Sequence, residues 1–533
     1  MAQDLSYLKN IGTRAVAGSM AIDTTKFFQC FWNSVFFHAM DGNPYMYLGQ
    51  TLYVTGSSTY HNIFEGTQDD ESSYGTGKLV AILGYNKRKH GEITYAKHTQ
   101  GNNSARLVIL TSNGYVLGLG ENDNGWLNQG NTTRVTKNLV EIYDPSDYSN
   151  DKATKTRITD SGRSNAGAMC TVYILTAGGK IWACGDGVNG KLGQNSTSDS
   201  STLVQTQDGS GASTGWVDFE TSTGSGSTTC IAVKTDGSWH ALGDGATEIT
   251  GGGNSSTDRL VWTSISELPT KAHKKFMVFG STSKAECLVL YNDGDLYHAG
   301  NNASGIADNG NTTSVHTYAL IRQNVDDFHV TIKENSTTQS VLTEEGTNIF
   351  GIGENAQGQL PNGNATDQRN FVAHTTDYIP SGYVVQNIWT ATHSCAGYLG
   401  MYFYRLYNST TGDYKVYVKG YNGYAGFGNG TTTSTSGASN VPVDLTPHLP
   451  CPPEDIYEMQ IQGFTGGQQG GWSAIITKQG ELYGTGDVWG FNGGTSPVYA
   501  NTYNNFPFSD ASTQNEHSTF QKITLDGSGN NRQ

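Results

Sequence analysis

Four sets of residues have types and spacings that could do chemistry. Gly185-Asp186-Gly187-Val188-Asn189-Gly190 has the spacing of a dinucleotide loop, and Lys191 extends it to a phosphate-binding loop with a lysine. Both loops work by presenting backbone N–H groups at the start of a helix. Here Leu192 stands where a Ser or Thr is needed, and the segment is one copy of a recurring loop. Gly211-Ala212-Ser213-Thr214-Gly215 has the spacing of a nucleophile elbow, which needs a strand before the serine and a helix after it. It sits instead in a Ser/Gly/Thr loop. Asn292, Asp293 and Asp295 carry oxygen donors that calcium could use, but no glutamate follows at loop position twelve, and Asp293-Gly294 is ordinary hairpin-turn chemistry. The 13 histidines are scattered without an H-E-x-x-H. Each constellation fails on its context, so no catalytic residue, no cofactor and no metal ion is expected.

The elements that hold these residues explain them better. Gly185 is one of a series: Gly56, Gly120, Gly185, Gly243, Gly300, Gly353, Gly420 and Gly486, spaced by 53 to 67 residues. In six of the eight copies a second glycine follows ten residues on: Gly66, Gly130, Gly253, Gly310, Gly363 and Gly430. Such a period marks a repeat architecture. Each anchor glycine ends a pair of short β-branched and aromatic runs joined by D-G, N-G or G-G, as in CIAVKTDGSWHALG and CLVLYNDGDLYHAG. That is a hairpin signal, because the turn needs positive φ. A third run lies upstream, such as Trp216-Val217-Asp218-Phe219 or Phe328 to Ile332, and a fourth downstream, such as Asn138 to Ile142. Four strands per unit, without a convincing amphipathic helix, predict an all-β propeller of four-stranded blades. Eight copies are counted, so seven or eight blades are expected. Residues 1–24 read as an N-terminal arm, 25–525 as the propeller and 526–533 as a tail. Phe520 to Thr524 reads as the first strand of a unit completed by N-terminal strands, which would close the ring and remove open edges.

The repeat resembles that of the regulator of chromosome condensation family, whose pattern is L-T-x-x-G-x-L/V-Y/W-x-x-G-x-N-x-x-G-Q-L-G-x-G. The best copy runs from Leu342-Thr343-Glu344-Glu345-Gly346 through Gly353-Glu354-Asn355 to Gly358-Gln359-Leu360-Pro361-Asn362-Gly363. Gly120-Glu121-Asn122 with Gly125-Trp126-Leu127, and Gly185 with Gly190-Lys191-Leu192-Gly193, match in part. The resemblance covers about residues 25–525. It implies a propeller, typically seven-bladed in that family. Family members include an exchange factor for a small nuclear GTPase, a plant ultraviolet receptor and a bacterial β-lactamase inhibitor. Of the receptor's G-W-R-H-T repeats this chain shows only Gly471-Trp472-Ser473, and no stretch carries over exchange activity.

Composition bounds the partners. Lys plus Arg is 32 against 47 Asp plus Glu, a formal charge of −15. That disfavours nucleic acid, which binds through clustered cations. The 29 Tyr and 19 Phe supply burial, so the 68 glycines read as turns rather than disorder. Seven cysteines without a C-x-x-C read as buried apolar residues, among them Cys170, Cys184, Cys230 and Cys287. The N-terminus lacks the pattern of a signal peptide, and the most apolar stretch, Phe27 to Phe37, is too short to span a bilayer. Sequons at Asn131, Asn195, Asn254, Asn311 and Asn364 are expected to be turn residues that bond nearby backbone. Trp126, Tyr421, Tyr424 and Trp489, in loops after anchor glycines, are the candidate partner-contact residues. An acidic, Lys-poor chain rich in Asn, Thr, Gly and Tyr suggests a non-enzymatic virion protein of a phage. Its expected role is structural, decoration or host adhesion, binding other virion proteins or a host glycan or protein. The alternative is a soluble, cytoplasmic protein-binding regulator, such as an exchange factor or an enzyme inhibitor.

Overall fold

The computed structural model describes residues 28–31, 34–38, 52–56, 80–81, 84–101, 104–159, 170–222, 228–253, 256–280, 285–332, 339–360, 362–373, 379–390, 400–423, 425–435, 441–463, 471–487 and 516–523, with side chains from residue 84 onward. The expected arm at 1–24 and the tail at 526–533 lie outside them.

Eight antiparallel sheets follow one another along the described chain, each built from four consecutive strands. We number them as blades one to eight. Blade three is Ala153–Ile158, Thr171–Thr176, Ile181–Gly185 and Ser200–Gln205, paired in that order. Blade one is Phe28–Phe31, Ser34–His38, Leu52–Gly56 and Val80–Ala81. The first strands of blades two and four to eight are Ile93–Gly101, Trp216–Thr221, His273–Phe279, Asp327–Ile332, Val384–Thr390 and Ile456–Gly463. Blade four also carries a small hairpin, Gln207–Asp208 with Gly211–Ala212, on its outer edge. Among the described residues an α-helical turn, Lys87–His90, is capped by the Asn86 side chain.

First strands touch between blades two and three, three and four, four and five, six and seven, and seven and eight, and that of blade eight touches that of blade one. They therefore form the hub, and the ring closes by packing of blade eight on blade one. The expectation of a shared closing blade is corrected. Glu516–Ile523 pairs with Leu482–Asp487 as the outer strand of blade eight. The physical reason is that blade one already has four strands of its own, whereas among the described residues Glu516–Ile523 is the strand that fills the outer edge of the eighth unit.

In the blades whose side chains are described, the second strands are buried on both faces. Thr171–Thr176 is buried at every residue: Val172 and Ile174 pack toward blade two, Tyr173 and Leu175 toward blade four. Two-sided burial is why these runs are continuously apolar rather than alternating. The four cysteines singled out above sit in these inter-blade layers, fully buried. Burial pushes the Cys287 thiol up to about 12, so it behaves as an apolar filler.

The anchor glycine has a stereochemical cause. Gly300 has φ +131° and Gly420 has φ +120°. A Cβ at Gly300 would fall on the carbonyl oxygen of Ala285, and one at Gly420 on that of Gly400. Two residues on, a buried asparagine ties the loop together. Asn355 accepts from Leu360 N at 2.7 Å and donates to the carbonyls of Asn364 and Thr366 at 2.7 and 3.2 Å. Asn122 and Asn302 repeat the pattern, and Asn422 repeats it in part. The second glycine, or its equivalent, then reaches the next blade. Gly130, Asn195, Gly310 and Gly430 donate their N–H to Ser201, Leu260, Arg369 and Ser518 on the following outer strand. The repeat thus encodes a staple between blades as well as a turn.

Candidate functional site

The polar residues of the hub strands form a belt that crosses from blade to blade. Arg157 of blade three binds Glu220 of blade four through Nε and Nη2, both at 2.7 Å. Lys155 reaches Asp218 at 2.5 Å and Glu220 at 2.7 Å. Asp218 meets His273 of blade five at 3.3 Å. Lys275 of blade five holds Asp327 of blade six at 2.7 Å and the Phe328 carbonyl at 2.6 Å. Arg405, from the second strand of blade seven, donates to the Ile456 carbonyl of blade eight at 2.8 Å. Tyr95 of blade two stacks under the Arg157 guanidinium, 5.0 Å from its ring centre.

Electrostatics follow the pairing. Burial pushes the Asp218 carboxyl up, but the His273 ring and the Lys155 ammonium outweigh it, and its pKa falls to about 2. Burial opposes ionisation of Glu220 too, yet Arg157 and Lys155 hold it below the usual carboxylate range. These charges hold the blades together at the hub.

A second feature lies where the hub strands begin. In six blades the first strand starts with a bulge, so that one residue has no partner in the register. The bulges fall at Thr94, Thr154, Val217, Lys274, Gln386 and Tyr457. All six residues are exposed. Val217 and Tyr457 are large apolar side chains at 45% and 48% exposure, and Val384 beside Gln386 is also exposed. A bulge re-aims its residue while the flanking ladder holds it rigid. One end of the hub therefore carries a ring of outward residues of mixed chemistry. The sequence reading missed it, because a bulge leaves no signature in strand composition. The available signal was positional: these residues precede the polar hub residue of each copy by one.

In blade six the first strand begins at Asp327, one residue past the exposed Asp326. That strand pairs with Gln339–Glu345 in unbroken register, setting Asp327 opposite Glu344 and His329 opposite Leu342. One ligand atom from each of Asp327, His329 and Glu344 falls within 4.8 Å of the others. His329 Nε2 and Glu344 Oε1 are 2.5 Å apart. The sequence reading missed this group too, since Glu344 joins the D-x-H pair only through the hairpin register.

Of the expected contact residues, Trp126 is corrected. It is fully buried between blades two and three, and its indole N–H donates to the Glu121 carbonyl. A tryptophan at this loop position fills the gap above the sheet, so it cannot meet a partner. Tyr421 is half-buried against the core between blades seven and eight. Tyr424 and Trp489 lie outside the described residues.

The sequence decoys have structural employment. Lys191 is buried in an ion pair with Asp186, so it is not presented to a phosphate. Gly211 and Ala212 belong to the small edge hairpin of blade four. Asp293 and Asp295 share the Lys271 ammonium, 2.6 Å from each. Asn131, Asn311 and Asn364 accept from the N–H two residues on, as expected of turn residues.

These features define a repeat-built β-propeller whose blades are similar to regulator of chromosome condensation repeats. No family model matches the chain. Among solved structures it is similar to human WBSCR16, at 15% identity over 68% of this chain and 85% of that one, with a TM-score of 0.45. It is similar also to Prp20p from Saccharomyces cerevisiae, a structure described with its binding properties to Gsp1p and histones. There the identity is 13%, over 76% of this chain and 85% of that one, with a TM-score of 0.44. Yeast RCC1 (Prp20) bound to Kap60 aligns at 12% identity over 76% and 83%, TM-score 0.42.

Proposed function

We propose that this chain is a non-enzymatic propeller that binds another protein through the ring of bulged residues at one end of its hub. The observation that carries the reading is the recurrence of the bulge in six blades, each time presenting an exposed residue. A repeat fold makes the scaffold positions equivalent, while the residues shown there differ: two threonines, a valine, a lysine, a glutamine and a tyrosine. Rigid, exposed and varied side chains around one mouth suit recognition of a partner surface. Tyr457 and Val217 supply the apolar anchors, Lys274 and Gln386 the polar rim.

On this reading the protein is a regulator or adaptor acting by binding. The virion assignment rests on composition alone, and we keep it as the second outcome of one experiment. Native material is sedimented and the gradient followed by mass spectrometry. Migration in the slow soluble fractions, with a stoichiometric companion, supports the adaptor. Co-migration with large particles at fixed stoichiometry replaces it with the virion component. The binding face is tested by pull-down with Val217→Ser/Tyr457→Ala against Leu320→Ser, which changes an exposed outer-strand residue. The face is wrong if the companion survives the hub variant and is lost with the outer one.

A further inference from the structure

We propose that Asp327, His329 and Glu344 form a binding site for a divalent transition-metal cation of the zinc class at the hub end of blade six. Three observations lead there. The donors are one imidazole and two carboxylates, the mixed nitrogen and oxygen set that such cations take, and three protein ligands leave positions for water. The donor atoms already cluster within 4.8 Å, so side-chain rotation alone brings them to one ion. The geometry is fixed by the backbone: Asp327 and His329 are two apart on one face of a strand, and Glu344 is directly opposite Asp327.

What sets blade six apart is the residue opposite. In the bulged blades the hub residue after the break also has a partner directly across: Leu110 for Tyr95, Val233 for Asp218, Leu290 for Lys275, Arg405 for Asn387 and Ile476 for Glu458. In blade six the partner opposite Asp327 is Glu344, so a hub acid and histidine meet an acid of the second strand.

Without the ion the groups satisfy one another. His329 Nε2 lies 2.5 Å from Glu344 Oε1, and Lys275 holds Asp327 Oδ1 at 2.7 Å. The ion takes the place of that contact, and any proton held there leaves to solvent as the ring nitrogen and the carboxylate turn to the metal. Lys275 and Asp327 are the more exposed pair, at 39% and 41%, so the ammonium can move off into water. Two carboxylates against one lysine leave the site net negative, as a cation requires.

The test is titration calorimetry of the chelator-treated full chain with zinc chloride, followed by cobalt substitution and its visible spectrum. The expected result is one saturable equivalent, weakened by at least about a hundredfold in His329→Gln and in Glu344→Gln. Lys275→Met is expected to tighten binding, and Asp293→Asn, whose carboxylate pairs with Lys271 instead, to leave it unchanged. Circular dichroism establishes that each variant is folded. Absence of saturable uptake, or uptake the same in wild type and both ligand variants, overturns the proposal.

Discussion

Asp218→Asn removes one charge from a clasp that joins three blades. The carboxylate meets Lys155 of blade three and His273 of blade five, and its own strand belongs to blade four. The magnitude follows from its pKa, moved from 3.8 to about 2. A shift of roughly 1.8 units at 1.36 kcal/mol per unit is about 2.4 kcal/mol. The side chain is 29% exposed, so screening by solvent trims this to about 2 kcal/mol. For cooperative unfolding of a chain this long, an unfolding entropy on the order of 1.1 kcal/mol/K turns that loss into a melting shift of about 2 °C.

The sign with pH gives the sharper check. A carboxylate with a depressed folded pKa stabilises above its unfolded value, and the contribution is lost as pH falls through the folded one. The difference between wild type and Asp218→Asn should therefore be full at neutral pH, about half near pH 3 and close to nothing near pH 2. Urea unfolding by fluorescence at several pH values measures it. An equal difference at neutral and acid pH would mean that the asparagine acts through packing and that the clasp is not electrostatic. No difference at any pH would remove the clasp altogether.

Gly300→Ala should destabilise severely, since φ +131° and the Ala285 carbonyl both exclude a Cβ; Gly130→Ala, at φ +68° with open space around it, should cost only about 1 kcal/mol. Thermal melts of the pair separate the anchor glycine from an ordinary turn glycine. Trp126→Ala should cost about 3–5 kcal/mol by emptying the layer between blades two and three, whereas Tyr457→Ala should stay within about 0.5 kcal/mol, read by the same melts. Lys419 is fully buried, and burial lowers its pKa to about 7. The unfolded chain binds that proton more tightly, so stability should rise from pH 7 toward the ordinary lysine range, and Lys419→Met should flatten the rise in a denaturant series.

Much of the architecture was legible because glycine and turn chemistry are local. Gly120, Gly185 and their equivalents recur since one backbone conformation recurs, and D-G or N-G marks each hairpin. The role of Glu516–Ile523 was not legible, because which edge a lone strand joins depends on which blade lacks one. Trp126 misled for a related reason. A loop position in the sequence says nothing of depth, and here the loop folds back over the sheet and buries the ring.

The candidate site was harder to read because the repeat conceals it. A period picks out what is alike between copies, and the residues alike are the structural ones: the anchor glycine, the buried asparagine and the staple to the next blade. Function in a repeat scaffold must sit where copies are free to differ. The bulged position satisfies that, since Thr94, Lys274 and Tyr457 are exposed and have no partner in the strand register. Blade six differs in another way, by setting an acid, Glu344, opposite Asp327 and near His329. Glu344→Leu should put an apolar residue opposite Asp327, as Val233 is opposite Asp218, and leave the core of blade six packed. If zinc uptake then persists unchanged in a folded protein, the cross-strand pairing is not what assembles the site.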